Sequence, residues 1–218
     1  MQTRNPVLLI HGIDDTATLF STMAPYLEAR GWQTHSLDLI PNDGTYGLEV
    51  LAQQVANYVN CTFTPDQPFD LVGFSMGGII SRYYLQRLGG HQRVERFVTI
   101  ASPNQGTWTA YLRWNRGASQ MRPDSAFLND LNQDVAETLG CINVTSIWTP
   151  LDAMILPPQS SQLPVGNEVV VNVAAHAWMV TDLRVMNQVA IALSDAGFSS
   201  RHTAATAGSD LTAIHSAQ

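Results

Sequence analysis

Ser75, Asp152 and His176 are the residues of this chain whose types and order suit one reaction. A serine hydroxyl is a weak nucleophile at neutral pH and needs a base within hydrogen-bond reach; an imidazole base in turn needs a carboxylate to fix its tautomer and stabilise its protonated form. Ser75 stands in Gly73-Phe74-Ser75-Met76-Gly77-Gly78. A Gly-x-Ser-x-Gly pattern is weak evidence alone, and its surroundings strengthen it. Phe69-Asp70-Leu71-Val72 reads as a buried strand before it, and Ile79, Ile80, Tyr83, Tyr84, Leu85 and Leu88 recur at helical spacing after it, up to Gly89-Gly90. So tight a strand-to-helix turn pushes the serine Oγ out over the sheet edge, and a Cβ on Gly73 or Gly77 would meet the opposing chain. The free N–H groups of the new helix then face any oxyanion forming beside Ser75.

Other titratable residues fit these roles less well. His35 lies inside a predicted strand, His91 follows a helix on the far side of the sheet, and His202 and His215 fall in the C-terminal tail. His11 directly precedes a glycine loop and, with Gly12, is read as holding that loop. Asp124 and Asp182 suit a turn and a helix cap. Asp152 and His176 each follow a predicted strand, on the side of the sheet where Ser75 emerges. An oxyanion would take one N–H from Met76, the residue after the serine, and one from Ile13 in the loop after the first strand. The adjacent Asp14 and Asp15 are compatible with a metal or acid/base site, but acids are favoured at helix N-termini and a capping role is the preferred reading.

The elements that must carry these residues alternate in type. Pro6 to Ile10, Trp32 to Leu39, Phe69 to Val72, Val94 to Ala101, Ile142 to Trp148 and Val169 to Ala175 read as strands. Helices are expected through Leu19–Leu27 to Gly31, over Leu48–Val59, after Ser75, through Phe127–Leu139, and through Leu183–Leu193 to Gly197. Strand, helix, strand in repetition specifies a mostly parallel α/β sheet of about six strands, covered by helices on both faces, with active loops at the strands' C-terminal ends. Residues 104–140 interrupt the rhythm and are expected above the sheet near the active site. Residues 1–198 are expected to form one domain, and 199–218, rich in Ser, Ala and Thr, a weakly ordered tail.

Composition narrows the partners. Apolar residues make up 45% of the chain and charged ones 13%, enough for one sizeable core and too apolar for disorder. No apolar run approaches the roughly 20 residues that span a bilayer. A net charge of −7, with all 11 basic residues arginine and none clustered, argues against nucleic acid as a partner. An uncharged or weakly charged small molecule is the expected substrate, and transient contact with a lipid interface is compatible with the sequence. Cys61 and Cys141 lack the close spacing of a thiolate metal site; a disulfide between them and two buried free thiols are both open. Residues 1–10 run straight into a core strand and leave no room for a signal peptide, which favours a cytoplasmic protein, with a secreted mature form as the alternative.

Several motifs occur in a fixed order: His11-Gly12 after the first strand, Gly73-Phe74-Ser75-Met76-Gly77-Gly78, Ser102-Pro103-x-x-Gly106-Thr107, Gln120-Met121-x-Pro123-x-Ser125-x-Phe127-Leu128, then Asp152 and His176. Together they resemble the small bacterial lipases and esterases of the α/β-hydrolase superfamily, over residues 6 to about 196. The resemblance implies a six-stranded sheet lacking the first two strands of larger relatives, a small lid or none, a Ser75–Asp152–His176 triad, and hydrolysis of carboxylic esters with no cofactor or metal. An acyltransferase or thioesterase would use the same acyl-enzyme. A non-catalytic binding protein would have no need of all three residues, and a metal-dependent hydrolase is disfavoured because no two histidines share ligand spacing. Leu19, Phe20, Met154, Ile155 and Trp178 flank these loops and are candidates for an acyl pocket.

Overall fold

The computed structural model describes residues 4–195, so the expected tail lies outside the described residues. Its centre is a six-stranded, wholly parallel sheet in the order β2-β1-β3-β4-β5-β6, built from β1 (Val7–Ile10), β2 (Thr34–Ser36), β3 (Phe69–Phe74), β4 (Val94–Ile100), β5 (Asn143–Trp148) and β6 (Asn167–Val170). Along β1 the side chains alternate between two cores, which is why the strand is apolar without interruption. Leu8 and Ile10 join Phe69, Leu71 and Phe97 beneath α2 (Leu48–Thr62) and α3 (Met76–Arg87). Val7 and Leu9 join Val72, Val98 and Ile147 on the other face, against α1 (Met23–Glu28) and α7 (Leu183–Ser194).

Several boundaries differ from the sequence reading. The helix expected over Leu19–Leu27 is two pieces, a 3₁₀ turn at Ala17–Phe20 and then α1. Pro25 has no N–H to bond back across that junction. The edge strand β2 is three residues long, because beyond Ser36 the chain leaves the ladder and the Leu39 N–H donates to His11 Nε2 at 2.9 Å. The last strand lies earlier than expected: β6 ends at Val170, six residues before His176. Beyond it a hydroxyl takes over from the ladder, for Thr149 Oγ1 donates to the Val173 carbonyl at 2.8 Å and accepts the Val173 N–H at 3.2 Å.

Residues 104–140 hold a 3₁₀ turn at Trp108–Leu112 and the short helices α4 (Arg116–Gln120), α5 (Ala126–Gln133) and α6 (Val135–Leu139). The single helix expected over Phe127–Leu139 breaks at Asp134, whose carboxylate accepts from Gln86 and Arg87 of α3. That fastening is extensive. Arg82 is fully buried, and its guanidinium donates to the Asn104 and Leu131 carbonyls and to Asn132 Oδ1 at 2.8–3.1 Å. Burial pulls its pKa down to about 9, which leaves it protonated at neutral pH. A buried charge is tolerated where such acceptors surround it. Both ends of the insertion are thus pinned to the helix that begins beside Ser75.

The cysteines correct an expectation. Cys61 and Cys141 are free and both are exposed, so they are neither bridged nor buried. Cys61 lies in the last turn of α2, and Cys141 follows α6, its Sγ donating to the Glu137 carbonyl at 3.3 Å.

Candidate active site

β3 ends at Phe74 and α3 begins at Met76, so Ser75 alone makes the turn. Its backbone lies at φ 52°, ψ −125°, a region that L residues leave at a gain of about 1–3 kcal/mol unless their surroundings hold them. Here the hold is twofold: the Ser75 N–H donates to the Ile100 carbonyl at 2.9 Å, and the Ser75 carbonyl accepts the Gly78 N–H at 3.0 Å. Both expected glycine constraints are met. A Cβ on Gly73 would lie 2.6 Å from Gly78 Cα, and one on Gly77 would strike the carbonyl oxygens of Ile10 and His11. The turn therefore packs backbone against backbone on the loop after β1.

Asp152 and His176 come together from two loops. Asp152, 4% exposed, follows β5; its Oδ1 accepts the N–H groups of Met154 and Ile155 at 2.8 and 2.9 Å, and its Oδ2 accepts from His176 Nδ1 at 2.8 Å. With the proton on Nδ1, His176 Nε2 keeps its lone pair. The Phe74 ring, one residue before Ser75, lies 4.9 Å from the His176 ring, centroid to centroid, and so brings the imidazole beside the serine turn. The Thr149 hydroxyl, bonded to Val173 and accepting the Leu151 N–H, ties the Asp152 loop to the His176 loop.

The loop after β1 closes the other side. His11 is fully buried with both ring nitrogens engaged, Nδ1 with the Gly12 carbonyl at 2.8 Å and Nε2 with the Leu39 N–H at 2.9 Å. It is a strut between Gly12 and Leu39. Among the described residues no acceptor takes the Ile13 N–H, whereas the next one, from Asp14, donates to the Asn42 carbonyl at 2.8 Å. Met76 opens α3, where an N–H has no acceptor in a preceding helical turn.

The Asp14–Asp15 pair does not cap. Thr16 holds the cap position of the 3₁₀ turn without a side-chain cap bond, and the first N–H of the turn, from Ala17, donates to Asp38 Oδ1 at 2.7 Å. Asp14 pairs with Arg113. Asp15 turns inward, its Oδ2 3.0 Å from the point a Gly12 Cβ would occupy, with Ser75 Cβ 3.1 Å from that same point. Burial pushes the Asp15 carboxyl above its ordinary range, and the nearby His11 and His176 pull it back. Sequence reasoning missed this residue because a carboxylate just before a helix is ordinarily a cap; its place in a loop at the C-terminal end of a strand was the available signal. Asp182 does cap, accepting the Arg184 N–H at 2.8 Å.

The acyl-pocket candidates divide. Phe20 and Ile155 are core, 1% and 3% exposed, while Met154 and Trp178 are more than half exposed. Trp108, Leu112, Trp114 and Leu151 are likewise more than half exposed. Trp108 stacks on Tyr111 at 5.5 Å, and the Thr107 and Thr109 hydroxyls donate to the Met154 carbonyl, joining the insertion to the Asp152 loop. Among the described residues no three His, Cys, Asp or Glu side chains converge as a metal ion would require, and no helix is long and apolar enough to cross a membrane.

Comparison with known proteins gives one family. Residues 5–190 match the model of the alpha/beta hydrolase fold. Over 117 residues, half of this chain, the sequence is 30% identical to the lysosomal thioesterase PPT2 of Homo sapiens, and the match spans 38% of that protein's length. The Mus musculus PPT2 gives 29% over 121 residues, again 50% of this chain and 38% of that protein. Among solved structures, lipase B of Aspergillus fumigatus superposes with a TM-score of 0.74 at 17% identity, over 89% of this chain and 53% of that one. The mature lipase BlEst2 of Bacillus licheniformis gives 0.68 at 15%, over 83% and 88%.

Proposed function

The chain belongs to the alpha/beta hydrolase fold family, and within it we propose a serine hydrolase that cleaves carboxylic esters through an acyl-enzyme on Ser75. The observation that carries this reading is the 2.8 Å bond from His176 Nδ1 to a buried Asp152 beside a serine held at positive φ. His176 Nε2 takes the Ser75 proton as Oγ bonds to the ester carbonyl carbon. The charge that develops on the carbonyl oxygen is met by the N–H groups of Ile13 and Met76, each such donor being worth about 3 kcal/mol to the transition state. The intermediate collapses as the carbon–oxygen bond to the alcohol breaks, and the alcohol leaves with the proton from His176. Water, deprotonated by His176, then attacks the acyl carbon and returns Ser75 to its free form.

Apolar esters, and transient contact with a lipid surface, suit the exposed Trp108, Leu112, Trp114, Met154 and Trp178. A thioesterase is the second reading, favoured by the likeness to PPT2. Hydrolysis of 4-nitrophenyl esters from acetate to palmitate, compared with Ser75→Ala, tests the first. Wild-type turnover that falls by about 10⁴-fold or more in the variant is expected. Equal turnover in the two proteins would sink the assignment, and acyl-coenzyme A thioesters cleaved faster than oxyesters of the same acyl chain would move it to the second reading.

A further inference from the structure

Asp15 supplies a second carboxylate at the site that the mechanism above does not use. Its Oδ2 lies 3.0 Å, and Ser75 Cβ 3.1 Å, from one common point beside Gly12, so the two atoms are at most about 6 Å apart. No hydrogen bond reaches this carboxylate among the described residues. Its charged or titratable neighbours are His11, His176 and Asp14. None of them hydrogen-bonds to it. His11 spends both ring nitrogens on the backbone, His176 donates its Nδ1–H to Asp152, and Asp14 holds Arg113. The other carboxylate of the site, Asp152, has three donors on its two oxygens. Asp15 is half-buried, and a carboxylate kept from bulk water without a partner has unmet capacity for a donor.

We propose that Asp15 is a specificity-determining residue: it selects esters that bring a cation or hydrogen-bond donor near the scissile bond and turns away those carrying an anion there. The same charge repels the carboxylate product, which every ester hydrolysis leaves beside Ser75, and so hastens its release. The inference rests on the reading of Ser75 as an ester-cleaving nucleophile.

Two matched pairs test it on the full chain. Butyrylcholine is compared with its uncharged isostere 3,3-dimethylbutyl butyrate, and mono(4-nitrophenyl) glutarate with its neutral methyl ester. In Asp15→Asn the cationic-to-neutral ratio of kcat/KM should fall about ten-fold and the anionic-to-neutral ratio rise about ten-fold, the size expected for one charge at this range in a partly solvated site. Inhibition by butyrate should tighten in the same variant, and Asp15→Glu should restore the wild-type order. A residue that merely braced the loop would change all four rates together and leave the ratios alone. Were the variants not to fold, the wild-type ratios should still shrink toward unity as salt rises from about 20 mM to about 0.5 M, as screening requires. Ratios that move with neither substitution nor salt overturn the role of Asp15 alone. A wild type that cleaves none of the four esters overturns the ester-hydrolase reading and this inference with it.

Discussion

The same sheet carries a buried aspartate at each end, and the two are held in opposite ways. At the C-terminal edge, Asp152 has N–H donors on both oxygens, two of them from its own loop. At the N-terminal edge, Asp70 at the start of β3 is fully buried beside Arg96, with Asn5 as a further donor and Glu95 close by. Burial there outweighs the arginine and pushes the Asp70 carboxyl up to about 6. A cleft of about 380 Å³ opens near this end, between Arg4, Arg30, Trp32, Ser194 and Asp195, where the Ser194 hydroxyl donates to the Ala190 carbonyl at 2.8 Å and no histidine is among the described lining residues. A buried carboxylate is thus not enough to mark a reactive edge. What distinguishes Asp152 is an imidazole on it and loops free of sheet pairing around it.

The sharpest way to break this comparison is to exchange one oxygen for nitrogen at the candidate site. Asp152→Asn should lower kcat/KM on a 4-nitrophenyl ester by about 10³–10⁴-fold, because the amide faces the Nδ1 proton and disfavours the needed tautomer. Its unfolding midpoint should stay near that of the wild type, since Oδ1 can still accept from Met154 and Ile155. A loss of less than ten-fold would mean that Asp152 does not orient His176.

Next in size is Gly77→Ala, which sets a Cβ against the Ile10 and His11 carbonyls and should cost about 3 kcal/mol or more of stability in urea unfolding. A neutral result would mean that the serine turn and the β1 loop are not in backbone contact.

The smallest effect belongs to Asp70, and its sign is opposite to that of an ordinary ion-paired carboxylate. Its folded pKa of about 6 lies above the ordinary 3.8, so between those values the folded chain holds more protons than the unfolded one. This group's contribution to stability therefore falls as pH rises from about 4 to about 6, by up to about 3 kcal/mol, and is level above that window. Unfolding free energies at pH 4.5 and 6.5 should differ less in Asp70→Asn than in the wild type. An equal or steeper difference in the variant would show that Arg96 offsets the burial completely.

How much of this was legible beforehand depended on whether local chemistry or distant packing set the outcome. The serine turn could be read because only glycines fit where its backbone closes on itself and on the β1 loop. Buried β1, β3, β4 and β5 showed as apolar runs. The edge strands were read too long, since side chains finish their pairing: His11 past β2, Thr149 past β6. Arg82 was invisible because charged residues on a helix ordinarily face water, and its burial depends on carbonyls some 20 to 50 positions away. Asp15 was misread for the converse reason, a local rule fitting a residue that packing uses otherwise.

Arg82 and its neighbours Gln86 and Arg87 have a consequence for how such a protein changes over time. They grip Asn104 at one end of the insertion and Asp130–Asp134 at the other, while the chain between them, with the exposed Trp108, Leu112 and Trp114, is held at its ends rather than along its length by this clamp. The clamp sits on the helix whose first turn follows Ser75. Residues 106–125 are also fastened to the loops beside Ser75, Thr107 and Thr109 to the Met154 carbonyl and Arg113 to Asp14, so a lineage that replaces them must adjust the Asp152 loop and the β1 loop in step, while the grip of α3 on the insertion's ends is inherited unchanged.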